Sequence, residues 1–142
     1  MGRLALSLIF GAAVGWEREL QDKPAGLRTH MLVSLGAALI LQIPIQLGIA
    51  QEDANAFSRI IQGIATGIGF LGAGEIVTQK KPSNSSDSYR VRGLTSAAAI
   101  WVSAALGMVA ACGLWKMGLM GIAFAWLVLR AFKILERWQK NK

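Results

Sequence analysis

Apolar stretches of about 20 residues recur along the chain, separated by short charged connections, and this rhythm limits what the chain can fold into more than any other feature. A bilayer core about 30 Å thick takes roughly 20 helical residues to cross, and such stretches fit about five times here. The composition agrees: 54% of the 142 residues are hydrophobic, 16% are charged, 16 are Gly, and the mean hydropathy is +0.45. No ordinary soluble domain of this size has that balance. The expected fold is therefore all-α, a polytopic membrane bundle of about five transmembrane helices.

The spans are expected at about 2–20, 29–49, 57–77, 94–112 and 117–132, as one transmembrane domain over 1–132, with a basic cytoplasmic tail at 133–142. The first apolar run, Leu4 to Trp16, is too short to cross alone, so its helix must extend and draw Glu17, Arg18 and Glu19 to the membrane boundary. A signal peptide is disfavoured, because no small-x-small cleavage site follows that run. Pro44, in the last third of the second span, would kink the helix or begin its end. The fourth and fifth spans, joined around Trp115 and Lys116, should form a tight antiparallel pair. Pro82 to Ser88 reads as a flexible loop.

Five spans put the termini on opposite sides, and the basic residues decide which is which. Twelve of the 15 Lys and Arg residues fall on the side of the first loop, third loop and C-terminus; only Arg3, Arg59 and Lys116 lie opposite. The positive-inside rule then places the N-terminus outside and the C-terminus in the cytoplasm. Topology thus accounts for the net charge of +7, and no nucleic acid is expected as a partner.

The first and third spans run the same way and end alike. Gly11-Ala-Ala-Val-Gly15-Trp-Glu17 matches Gly69-Phe-Leu-Gly72-Ala-Gly74-Glu75 in the Gly six places before the Glu, and the following spans open with Gly26-Leu27-Arg28-Thr29 and Gly93-Leu94-Thr95-Ser96. This pattern predicts two parallel-repeat hairpins plus one helix, with Glu17 and Glu75 at equivalent positions near one axis.

Three segments, Glu17 through Lys23-Pro-Ala-Gly-Leu-Arg-Thr-His30, Gly69 to Ile76 (GFLGAGEI) and Val91 to Trp101 (VRGLTSAAAIW), closely resemble the membrane domain of the MgtC/SapB family. The resemblance implies a bacterial inner-membrane protein tied to adaptation to magnesium limitation, a regulator rather than a transporter, with the F-type ATP synthase as a membrane complex it would act on. Fuller members carry an ACT-like cytoplasmic domain after the fifth helix, which this chain, ending at Lys142, is expected to lack. Ser96 stands where the family commonly has Thr and keeps the hydroxyl.

Residue by residue, packing readings compete with functional ones. Gly67-Ile-Gly69-Phe-Leu-Gly72 fits a dinucleotide fingerprint, but it lies inside an apolar span without the strand that motif needs. Gly11, Gly15, Gly63, Gly67, Gly69, Gly72 and Gly74 instead read as helix-packing or oligomer contacts. Glu75 is either paired with Arg90 or Arg92 or functional, since an acid at the end of such a helix is costly unless satisfied. Glu17, with Arg18 and Arg28 in reach, reads as part of a salt-bridge network in preference to a metal site; Glu17 and Glu75 together are nonetheless the candidate ligands for a hard cation such as Mg2+. Arg92, Thr95 and His30 complete the expected polar network, with His30 an interface residue rather than a ligand. Thr29 is expected to cap the second span, and Thr95 and Ser96 to cap the fourth or hydrogen-bond across helices. The tail from Arg130 has the composition of a helix at an anionic leaflet or a topological anchor. Cys112 should simply pack.

No acid-base pair or nucleophile constellation is present in the sequence, so no catalytic residues are assigned and a membrane enzyme ranks last. The reading ranked first is a non-enzymatic, homo-oligomeric regulator acting on a membrane partner. The alternative is an oligomeric ion channel or transporter for magnesium or another cation.

Overall fold

The computed structural model describes residues 1–80 and 89–140, so the expected Pro82–Ser88 loop lies outside the described residues. In chain order these form α1 (Gly2–Glu19), α2 (Leu27–Gln46), the single turn α3 (Ile49–Glu52), α4 (Ala54–Glu75), a two-stranded antiparallel ribbon of β1 (Val77–Lys80) and β2 (Tyr89–Arg92), α5 (Leu94–Ala111) and α6 (Trp115–Lys140). The molecule is a helical bundle, as the apolar rhythm requires. By length and composition α2, α4 and α5 are each able to cross a membrane, and the chain is a membrane protein.

Local chemistry sets the helix ends. α2 runs through Pro44 and stops two residues later at Gln46, and Gly48 at φ +80° turns the chain. The Asp53 carboxylate accepts from the backbone N–H groups of Asn55 and Ala56 at 2.9 Å, which satisfies donors that the first turn of α4 leaves open. The start of α2 is satisfied differently from the Thr29 cap expected. Gly26 occupies the cap position, and the Glu19 carboxylate reaches back to accept from the Leu27 N–H at 2.8 Å. Gly93, at φ +94°, fills the corresponding position before α5, where a Cβ would run into the Glu75 carbonyl.

α5 is the central helix. Half of its 18 residues are buried, and it packs against α1, α2, α4 and α6. Two apolar clusters flank it: Val33, Ala37, Leu41, Ile64, Ile100 and Ala104 join α2, α4 and α5, while Phe10, Val14, Ala99, Leu106 and Ala110 join α1 and α5. The helices close on small residues, which substitute for the hydrophobic force that lipid cannot supply. A Cβ on Gly11 would stand 2.6 Å from the His30 carbonyl oxygen and 2.8 Å from Met31 Cα, and one on Gly107 would strike the Ser34 carbonyl. α6 is tied to α1 by Trp126, whose indole N–H donates to the Ala13 carbonyl at 2.8 Å, and by Gly118, which lies against the Phe10 ring.

α1 pairs with α2 and α4 with α5, the two hairpins that the repeat predicts. Their packing is unequal. Gly11 and Gly15 lie tight against α2, whereas an added Cβ on Gly63, Gly67, Gly69 or Gly74 meets nothing within 4 Å, and only Ile64 and Gly72 of α4 are buried. α4 is the edge of the bundle.

Candidate functional site

The ends of α1 and α4 and the starts of α2 and α5 meet at one end of the bundle and collect its buried charged residues there. Arg18, 3% exposed, donates through Nη2 to the Ser96 hydroxyl at 2.8 Å across 78 residues of sequence. Glu17 is 2% exposed, and neither carboxylate oxygen has a hydrogen-bond partner; Arg18 Nε is equally unmatched. The Glu17 carboxylate and, more weakly, that of Glu75 act electrostatically on the Arg18 guanidinium. The two positions the repeat makes equivalent thus lie within electrostatic reach of one cation.

His30 lies beside this cluster, fully buried. Its Nδ1 sits 2.8 Å from the Gly26 carbonyl oxygen, which makes Nδ1 the donor, while Nε2 has no partner. The Arg18 charge reaches it as well. One turn further on, Ser34 donates to the Ser7 carbonyl at 2.7 Å and stitches α2 to α1. Ser103, fully buried in the middle of α5, has an unmatched hydroxyl.

The structure therefore brings together Glu17, Arg18, His30 and Glu75 from the expected polar network and leaves Arg28, Arg92 and Thr95 exposed at the same end. Ser96 serves Arg18 across the helix interface rather than capping its own helix. Cys112 is half-buried. Of the expected packing glycines, Gly11, Gly15 and Gly72 contact other helices, Gly63 and Gly67 line an apolar cleft between α4 and α2, and Gly69 and Gly74 are exposed with open space beyond them. Sequence reasoning leaves out Ser7, Ser34 and Ser103. Their signal is a hydroxyl at helical spacing inside an apolar span, which by itself does not say which helix lies opposite.

A magnesium ion is the metal that Glu17 and Glu75 would suggest. Among the described residues no group of three or more His, Cys, Asp or Glu side chains comes together. With the Arg18 guanidinium, a protein cation, already within electrostatic reach of both acids, this donor set does not fit Mg2+ as it stands.

The profile of the MgtC family matches residues 4–138. The chain belongs to the MgtC family. It is 47% identical over 140 residues to Protein SrpB of Synechococcus elongatus, covering 95% of this chain and 75% of SrpB. It is 39% identical over 145 residues to YhiD of Escherichia coli K12, a protein named provisionally as a magnesium transporter, covering 99% of this chain and 63% of YhiD. Against Protein MgtC of Brucella abortus it is 37% identical over 111 residues, 78% of this chain and 42% of that relative. The chain thus spans three quarters of the first relative and less than two thirds of the other two. No solved structure matches it.

Within this family chain, the buried cluster can hold charge. A carboxylate shielded from water and from donors, next to a guanidinium with an idle N–H, is an arrangement that responds strongly to any added or removed charge.

Proposed function

We propose that the chain is a non-enzymatic, multi-pass protein of the bacterial inner membrane that serves adaptation to magnesium limitation by regulating a membrane partner. Its five long helices cross with the N-terminus outside and the tail from residue 133 in the cytoplasm. The observation that carries the regulatory reading is the close-packed centre. Gly11 and Gly107 bring α1 and α5 into backbone contact with α2, and that packing fills the space a pore through a single chain would use. The resemblance carried by the three motifs, with the MgtC membership beside it, favours the F-type ATP synthase as that partner.

The second reading is an oligomeric cation channel or transporter. The buried, unpartnered Glu17 carboxylate favours it, as does the name of the YhiD relative. Gentle detergent extraction followed by mass spectrometry of co-purifying proteins tests the first reading, alongside growth of a deletion strain at low magnesium. A stoichiometric membrane complex together with loss of growth supports regulation. Magnesium flux into vesicles containing the purified chain alone would replace that reading with the second.

A further inference from the structure

α4 is amphipathic in the wrong sense for the edge of a membrane bundle. Phe57, Ile60, Ile61, Ile64 and Ile68 turn inward to the core. The opposite face, followed at alternating steps of four and three residues, carries Asn55, Arg59, Gln62, Thr66, Gly69 and Ala73, and every one is exposed. Gln62 and Thr66 straddle the midpoint of this 22-residue helix, and neither makes a hydrogen bond among the described residues. In a helix that crosses the bilayer this is mid-depth, where no water is available. The Thr66 hydroxyl can turn back to a carbonyl of its own helix. The Gln62 amide, with two donors and a two-lone-pair acceptor, has more capacity than the Ser58 and Thr66 hydroxyls one turn either side can fill, and a group from outside the described residues is needed to complete it.

We propose that this face is the contact between two copies of the chain, with α4 parallel to α4 and Gln62 hydrogen-bonded to Gln62 of the second copy across a two-fold axis along the membrane normal. Two copies inserted in the same orientation bring like residues to like depth, and a primary amide is complementary to itself. The alternating four-three spacing is the seam of a left-handed helix pair. Gly69 on the seam leaves the backbones free to approach, because an added Cβ there meets nothing within 4 Å in one chain. Arg59, the one charge on the seam, lies in the second turn of α4, where two like charges can reach water at the membrane surface.

The test uses the full chain in native membranes with Cys112→Ala as background. Single cysteines introduced outward (Thr66→Cys, Gly69→Cys, Ala73→Cys) should form disulfide-linked dimers on oxidation, and inward ones (Ile60→Cys, Ile68→Cys) should not. In vesicles diluted with lipid, energy transfer between labelled chains should show Gln62→Leu self-associating about 3- to 30-fold more weakly than wild type, the range expected for an interhelical polar contact. Gln62→Asn should retain association, and the isosteric Thr66→Val guards against a folding defect at position 62. Four outcomes overturn the proposal: equal cross-linking of inward and outward positions, cross-links only to a different protein, free labelling of Thr66→Cys by a water-soluble thiol reagent, or association of Gln62→Leu as strong as wild type.

Discussion

The contact between α1 and α2 at Gly11 gives a prediction whose size follows from the coordinates. A methyl group there would stand 2.6 Å from the His30 oxygen, 2.8 Å from Met31 Cα and 2.9 Å from Ser34 Cβ, against 3.4 Å or more for ordinary contact. Two of those atoms are backbone, so no side chain can swing aside, and the helices must part by about 0.8 Å at this point. Overpacking of this kind costs about 1–3 kcal/mol. Replacing Gly by Ala inside a helix returns about 0.5–1 kcal/mol, so Gly11→Ala should lose about 1 kcal/mol net, and at most about 2.5 kcal/mol. Gly36→Ala is the matched control, because a Cβ at Gly36 meets nothing within 4 Å and only the helix gain applies. The difference between the two variants isolates the crowding. Thermal unfolding in mild detergent, followed by the fraction that stays monodisperse, should place Gly36→Ala at or above wild type and Gly11→Ala several degrees below it. Equal midpoints for the two variants would refute the argument that backbone contact holds α1 to α2.

Three further outcomes are expected. Arg18→Gln and Ser96→Ala should each lower stability, and the double variant should lose less than their sum, with a coupling of about 1–2 kcal/mol for an interhelical hydrogen bond; additive losses would mean that the 2.8 Å contact contributes nothing. Trp126→Phe, which keeps the ring but deletes the donor to Ala13, should cost about 0.5–1.5 kcal/mol and loosen α6, read out by limited proteolysis of the C-terminal helix. Glu75→Gln should leave abundance intact yet impair growth at low magnesium, since the amide keeps the shape but removes one of the two negative charges on Arg18; wild-type growth would withdraw Glu75 as a site residue.

How the site reads from the sequence differs from residue to residue. Glu17 and Glu75 stand out because an acid at the end of an apolar span is costly and therefore rare. Arg18, whose charge both acids act on, is legible only as a neighbour of Glu17; its hydrogen bond to Ser96 depends on how α1 and α5 pack. Glu19, which the sequence places in a membrane-boundary cluster, turns out to be the cap of α2, because the turn from Leu20 to Gly26 folds back far enough for its carboxylate to meet the Leu27 N–H.

The lengths and ends of the helices, and the membrane as their solvent, belong to the sequence. They depend on interactions within a few residues, such as Asp53 before α4 or Gly93 before α5, and on hydrophobicity summed over a span. The tertiary structure alone decides which face of each helix is buried. Gly11 and Gly69 occupy matching places in the repeat, yet one is pressed into α2 and the other is open. The sequence motif is the same at both positions, and what separates them is the neighbour across the interface, which is supplied by residues remote in the chain and set by how all the helices pack at once. For the same reason the outward face of α4, polar at its centre, takes on meaning only once the bundle shows that nothing among the described residues covers it.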